Sequence, residues 1–577
     1  MMTILKRTAL LLFAVVAFGC SQDPAPENYD VIIRGGSVYD GSGVAPMQAD
    51  VAINGDRIAK IGDLSEATAT REIDATGKAV SPGFINMLSW ATESLIIDGR
   101  GMSDIKQGVT LEVMGEGWSM GPLNDALKAL ASAQQREFKY ELEWTTLGEY
   151  LAFLENRGIS PNVASYVGAT TLRIYEIGFD NVPATDEQLA RMQEHVRVAM
   201  REGAIGVGSS LIYAPANFAS TEELIALVGA AAEYGGRYIS HIRSEGNRLE
   251  ESVEELIAIA RATGAPAEIY HLKAGGRDNW HKLDNVFAMV EQARADGLAI
   301  TADMYTYTAG ATGLDAAMPL WVQEGGDEAW FARLEDPAIR EKVLAEMLED
   351  QSEWENLFYH AGPDGVMFIG FRNPELRHLT GKTLAQVADM WEVTPAEAAI
   401  DLVIKDRSRV DTVYFLMSEE NVAKKVAKPW VSFGSDAEAS APEGVFLNSS
   451  THPRAYGTFA RVLGKYARDD GVISLEEAIR KMTSLPAANI GIRERGSLTE
   501  GYFADVVVFD PATVRDHATF AEPLQYATGV EHVFVNGEQV LKDGEHTGAT
   551  PGRVVRGPGW TGWEEQEAQE AVSKREQ

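Results

Sequence analysis

Apolar and polar positions along this chain follow two periods, and the change from one to the other marks its organisation. The pattern is clearest between Gly236 and Gly276. An apolar, β-branched run, Tyr238-Ile239-Ser240, ends in His241-Ile242-Arg243, and a second, Ala267-Glu268-Ile269-Tyr270, ends in His271-Leu272-Lys273. Between them Leu249, Val253, Leu256, Ile257 and Ile259 recur at helical spacing. This predicts strand, helix, strand. In a parallel βα unit both histidines then stand at the C-terminal mouths of successive strands, where barrel enzymes hold their ligands. One histidine so placed is as readily a satisfied polar residue as a metal ligand; two in equivalent positions favour a metal site.

Similar apolar segments separated by helical patterns fall near residues 80–85, 109–114, 163–167, 204–207, 299–304 and 430–433. With the two histidine-bearing strands they complete a (β/α)8 TIM-like barrel over residues 81–489, an α/β fold. The gap 314–428 exceeds a normal loop and predicts a helical insert, a lid over the barrel mouth. The ends differ in style. Val31-Ile32-Ile33, Val51-Ala52-Ile53 and Val533-Phe534-Val535 are short β runs punctuated by Asn54-Gly55 and Asn536-Gly537, a hairpin signal. Residues 29–80 and 490–558 therefore predict one small β-sandwich domain built from both termini. The Glu- and Gln-rich tail 559–577 predicts a solvated helix.

Composition adds a compartment and removes some partners. The 577 residues are 45% hydrophobic and 24% charged, an ordinary globular balance. The net charge of −34 argues against nucleic acid or anionic lipid as a partner of the folded domain. Lys6-Arg7 followed by an apolar run to Phe18 has the order of a secretory signal peptide (1–19) and is too short to span a bilayer. Ala17-Phe18-Gly19-Cys20 resembles a bacterial lipoprotein cleavage box. It implies a periplasmic protein lipid-anchored through Cys20 and a tether over 20–28, with Ser21 favouring the outer membrane; a plain signal peptide with an incidental cysteine is the alternative. Cys20 is the only cysteine, so a metal site in the folded region must use histidine and carboxylate.

Two carboxylates fit that requirement. Asp436, in Gly434-Ser435-Asp436 at the mouth of the last strand, is placed to move a proton between an attacking water and a leaving group, although Asp is also a common turn residue. Glu116 is flanked by Gly115 and Gly117 at the end of the second strand, where the backbone can approach a site closely. Two histidines and one glutamate with an open fourth position form a hydrolytic zinc arrangement. Glu116 could equally partner Lys273 or Arg243.

Taken in order, these segments resemble the amidohydrolase superfamily and, within it, the D-aminoacylase (N-acyl-D-amino-acid deacylase) family. The resemblance rests on Val80-Ser81-Pro82-Gly83-Phe84-Ile85, Gly203-Ala204-Ile205-Gly206-Val207, the two histidine motifs, Asp303-Met304-Tyr305-Thr306-Tyr307, Gly434-Ser435-Asp436 and His452-Pro453-Arg454-Ala455-Tyr456-Gly457-Thr458. It implies zinc-dependent removal of the N-acyl group from a small acylated D-amino acid, with Asp436 as general base and acid. It also implies that Arg454 clamps the substrate α-carboxylate with help from Lys273 and Tyr307, although Arg454 could instead be a structural ion pair. Two departures stand out. The superfamily's first strand ends Asp-x-His-x-His and supplies a second metal site; here it reads Asn86-Met87-Leu88-Ser89-Trp90. The family's zinc-binding cysteine is replaced by Glu116. Together these imply a single zinc ion held by Glu116, His241 and His271. Hydrolysis of another amide (a dipeptide, a cyclic amide or an N-acyl-L-amino acid) and a non-catalytic binding lipoprotein are the other readings.

Overall fold

Asn-Gly turns organise the terminal domain. Asn536 and Gly537 both take positive φ, the geometry that turns one strand tightly back on the next, and join Val530–Val535 to Glu538–Lys542. Near the other end Gly55, also at positive φ, turns Met47–Asn54 into Arg57–Gly62. In the computed structural model, which describes residues 27–135, 138–350 and 353–563, strands from both ends merge into one nine-stranded sheet. Ala79–Pro82 is its seam, parallel to Asn28–Val38 on one side and antiparallel to Val506–Phe509 on the other. Val31, Ile33, Val51, Ile53, Val506, Val508 and Phe534 are buried together in the core of this domain. The expected signal peptide, Cys20 and the tail beyond residue 563 lie outside the described residues, among which no helix is long and apolar enough to cross a membrane.

The barrel begins one residue after that seam. The apolar segment 80–85, expected as a single barrel strand, is divided at Gly83: Ala79–Pro82 belongs to the terminal sheet, and Phe84–Asn86 pairs with Val109–Met114. A Cβ on Gly83 would stand 2.0 Å from Oγ1 of Thr110, so the chain can cross between the two bodies only with glycine there. Parallel pairing continues through Asn162–Ser165, then from Val167–Gly168 through Gly206–Ser210, Arg237–His241, Ala267–Ile269 and Ile300–Ala302. The last strand position, residues 430–433, closes the ring. It bridges Ala302 through Val431, and the Met87 N–H donates to Phe433 O at 3.2 Å. The helix between the two histidine strands runs Leu249–Thr263 and ends at Gly264 in the left-handed region, burying Val253, Leu256, Ile257 and Ile259.

The insert 314–428 is not purely helical. Gly310–Gly313, Val366–Gly370 and Asp411–Tyr414 form a three-stranded antiparallel sheet, and helices pack over it around Trp330, Phe331, Val343, Phe368, Leu384 and Ile400. These strands are four or five residues long and pair across wide sequence gaps, so the surrounding helical periodicity masks them. The insert does sit on the barrel's C-terminal side: the Gly276 N–H donates to Leu416 O at 2.9 Å, and the Glu245 N–H to Oε2 of Glu355 at 2.6 Å.

Candidate metal centre

Three strand ends converge. Glu116 follows Val109–Met114, His241 closes Arg237–His241, and His271 lies two residues beyond Ala267–Ile269. All three side chains are buried, and one donor atom from each lies within 4.8 Å of the others. Oε1 of Glu116 is 3.2 Å from Nδ1 of His241 and 3.1 Å from Nε2 of His271. The flanking glycines explain how the carboxylate reaches this point: a Cβ on Gly115 would stand 2.4 Å from Tyr166 O, and one on Gly117 2.5 Å from Cβ of Ser210. One carboxylate and two imidazole donors, buried and mutually close, are a fitting set for a zinc ion.

A second carboxylate lies behind the imidazoles. Glu245 was not singled out in the sequence, although it stands four residues after His241. Its Oε1 is 3.0 Å from Nδ1 of His271 and its Oε2 is 3.6 Å from Nε2 of His241, each on the nitrogen turned away from Glu116. Lys273 reaches into the same cluster, with Nζ 2.7 and 2.8 Å from the two Glu245 oxygens and 2.8 Å from Nδ1 of His271. Burial would raise Glu245, but Lys273 and the two histidines outweigh it and hold the carboxylate well below its usual range. Burial and Lys273 depress His271, yet Glu245 and Glu116 outweigh them and push it up to about 10. His241 is lowered, chiefly by burial.

Asp436 completes the cluster from the last strand. Arg454 Nη1 stands 2.6 Å from its Oδ2, and the half-buried Trp90 indole N–H reaches its Oδ1 at 3.2 Å. Burial raises the Asp436 pKa against the opposing pull of Arg454 and His271. Both Asp436 (φ 50°) and His271 (φ 34°) adopt left-handed backbone, which costs a non-glycine residue on the order of 1–3 kcal/mol. Each is held there through its own N–H: that of Asp436 donates to Leu88 O at 2.8 Å, and that of His271 to Oδ1 of the buried Asp303 at 2.9 Å.

The proposed carboxylate clamp is arranged differently from the expectation. Arg454 is in place, with its guanidinium 4.6 Å from the ring centroid of Tyr305. Tyr307 is not beside it: its hydroxyl donates to Oδ2 of Asp516 at 3.1 Å, and Asp516 also binds Arg461. The polar end of Lys273 is likewise spent on Glu245 and His271. Tyr305 is the tyrosine that lies against Arg454. Its hydroxyl and Nε of Arg454 are both buried without a hydrogen-bond partner among the described residues. The two tyrosines are two residues apart after the same strand, so alternation alone cannot say which one faces the site.

Known proteins share this arrangement of domains. The amidohydrolase family profile matches residues 71–541. The D-aminoacylase of Alcaligenes xylosoxydans xylosoxydans is 34% identical over 530 residues, spanning 91% of this chain and 97% of its own. The N-acyl-D-glutamate deacylase of the same organism is 32% identical and spans 92% and 97%. A crystal structure of N-acyl-D-glutamate deacylase from Bordetella bronchiseptica, complexed with zinc and a phosphonate mimic of the tetrahedral intermediate, matches at a TM-score of 0.75 and 31% identity, over 92% of this chain and 100% of that one. The chain therefore belongs to the amidohydrolase family, within its D-aminoacylase group, and is a metal-dependent hydrolase of carbon–nitrogen amide bonds.

Proposed function

We propose that this chain removes the acyl group from N-acylated amino acids of D configuration, with a single zinc ion held by Glu116, His241 and His271. The observation that carries this reading is the junction of two functional clusters: the three-donor set and the Asp436–Arg454 pair are joined through Trp90. The similarity to a D-aminoacylase and to an N-acyl-D-glutamate deacylase supports the D configuration. The ion, when bound, polarises the scissile carbonyl and lowers the pKa of the attacking water. Asp436 accepts the proton from that water and passes it to the departing amine nitrogen. Arg454 keeps Nη1 on Asp436 and offers Nε to the substrate α-carboxylate, a charge-assisted hydrogen bond.

A chiral panel tests the assignment. Release of free amino acid from N-acetyl-D-amino acids should exceed that from the L enantiomers by at least about a hundredfold, as a site built to hydrogen-bond one arrangement of polar groups leaves them unpaired with the other. Equal rates on both enantiomers, or turnover confined to dipeptides or cyclic amides, would overturn it.

Glu245 supplies a separate expectation. A carboxylate at hydrogen-bond distance from the far nitrogen of a ligating imidazole, as Glu245 is from Nδ1 of His271, fixes its orientation and raises its basicity, and such outer partners are typically worth 10–100-fold in metal affinity. Glu245→Gln keeps the shape and removes the charge. Its zinc dissociation constant, read by competition with a chromogenic chelator, should rise by about that factor; an unchanged constant would remove Glu245 from the site.

A further inference from the structure

We infer that the indole N–H of Trp90 occupies the place of a second cation between Glu116 and Asp436, and that this restricts the centre to one ion while orienting both carboxylates. The inference rests on the single-zinc reading given above. The geometry divides Glu116 in two. Oε1 faces both imidazoles, at 3.2 and 3.1 Å, whereas Oε2 accepts the Trp90 N–H at 3.0 Å. The same N–H is 3.2 Å from Oδ1 of Asp436, so one proton bridges two carboxylates from different strands. A cation bound by both would occupy that position, and an indole N–H neither deprotonates near neutral pH nor offers a lone pair to a metal.

The placement is fixed by the backbone, not by a mobile side chain. Asp436 N–H donates to Leu88 O at 2.8 Å and Trp90 N–H to Ala437 O at 3.0 Å, while Ser89 bridges Ala437, so residues 88–90 are laced to residues 436–437. Leu88, fully buried, packs against Gly434, where a Cβ would stand 2.9 Å from its own. One layer deeper, the Asn86 amide donates to Ser435 Oγ at 2.8 Å and to Glu112 Oε2 at 2.9 Å, and Asn86 Oδ1 accepts the Ser435 N–H at 2.8 Å. The first and last strands thus meet through direct protein–protein hydrogen bonds. Trp90 is a positioning residue: it acts on the reaction through the carboxylates that it holds.

Zinc stoichiometry separates this role from a merely structural one. The purified enzyme, dialysed against a range of zinc concentrations, should hold one equivalent per chain and take up no second at concentrations well above saturation of the first. Trp90→His replaces the N–H donor with a lone pair beside two carboxylate oxygens and should gain a second equivalent. Trp90→Phe keeps an aromatic ring, should retain the first equivalent, and should lose roughly ten- to a hundredfold in kcat, the size of a hydrogen bond to a charged group. One equivalent with unchanged kcat in both variants would overturn the inference while leaving the single-zinc reading intact; a second equivalent in the wild-type enzyme would overturn the inference and the single-ion count together, leaving Glu116, His241 and His271 as ligands of the first ion. A wild-type enzyme that binds no zinc at all would overturn both.

Discussion

Asp436→Asn should lower kcat on the order of a thousandfold, within the range assigned to a positioned general acid–base group, with zinc content unchanged. The amide is nearly isosteric and can still accept the Trp90 N–H through its oxygen, so the geometry survives. What disappears is the ability to take a proton. Arg454 also loses its anionic partner, 2.6 Å away in the native protein, and its guanidinium becomes wholly available to the substrate carboxylate. KM should therefore stay level or fall, and the loss should appear almost entirely in kcat. Steady-state kinetics on an N-acetyl-D-amino acid give the answer: a variant within tenfold of native kcat would mean that the proton travels by another route.

His271→Ala should weaken zinc binding by roughly 10²- to 10³-fold, one ligand's share of a tightly held ion, and reduce turnover to background. Glu116 and His241 alone leave an open, two-donor site, and no other histidine belongs to this metal-ligating group among the described residues. The substitution also strips one wall from the Glu245–Lys273 pair. Metal analysis after dialysis, with circular dichroism to establish that the fold is intact, distinguishes loss of the ligand from loss of the protein. A folded variant retaining a full zinc equivalent would remove His271 from the coordination set.

The histidines were legible because a parallel barrel repeats its local grammar. Strand followed by His occurs twice with a helix between, and the fold converts that repetition into proximity, with ring centroids 4.5 Å apart. Glu116 could be read because two glycines announce a close backbone approach. Glu245 could not. Its role depends on the loop after His241 curling back beneath both imidazoles, and nothing in Ser244-Glu245-Gly246 encodes that curl. The partner of Tyr307 was illegible for a similar reason: past the end of the strand alternation stops and the neighbours decide, with Asp516 accepting a hydrogen bond from its hydroxyl. The insert's small sheet was hidden because its strands are four or five residues long and their partners lie across intervening helices in the sequence.

The seam strand Ala79–Pro82 bears on the order in which the protein can be assembled. Its partner Val506–Phe509 is about 430 residues further along, so this single pairing closes a very long loop while the other pairings of the terminal sheet stay within one end of the chain. A chain emerging from N- to C-terminus can build the barrel's local βα units and the N-terminal strand pairs as they appear, but Ala79–Pro82 gains its second neighbour only after nearly the whole polypeptide. Until then one edge of Ala79–Pro82 presents unpaired backbone N–H and C=O groups, which makes that edge the place where the N-terminal strands are open to mispairing.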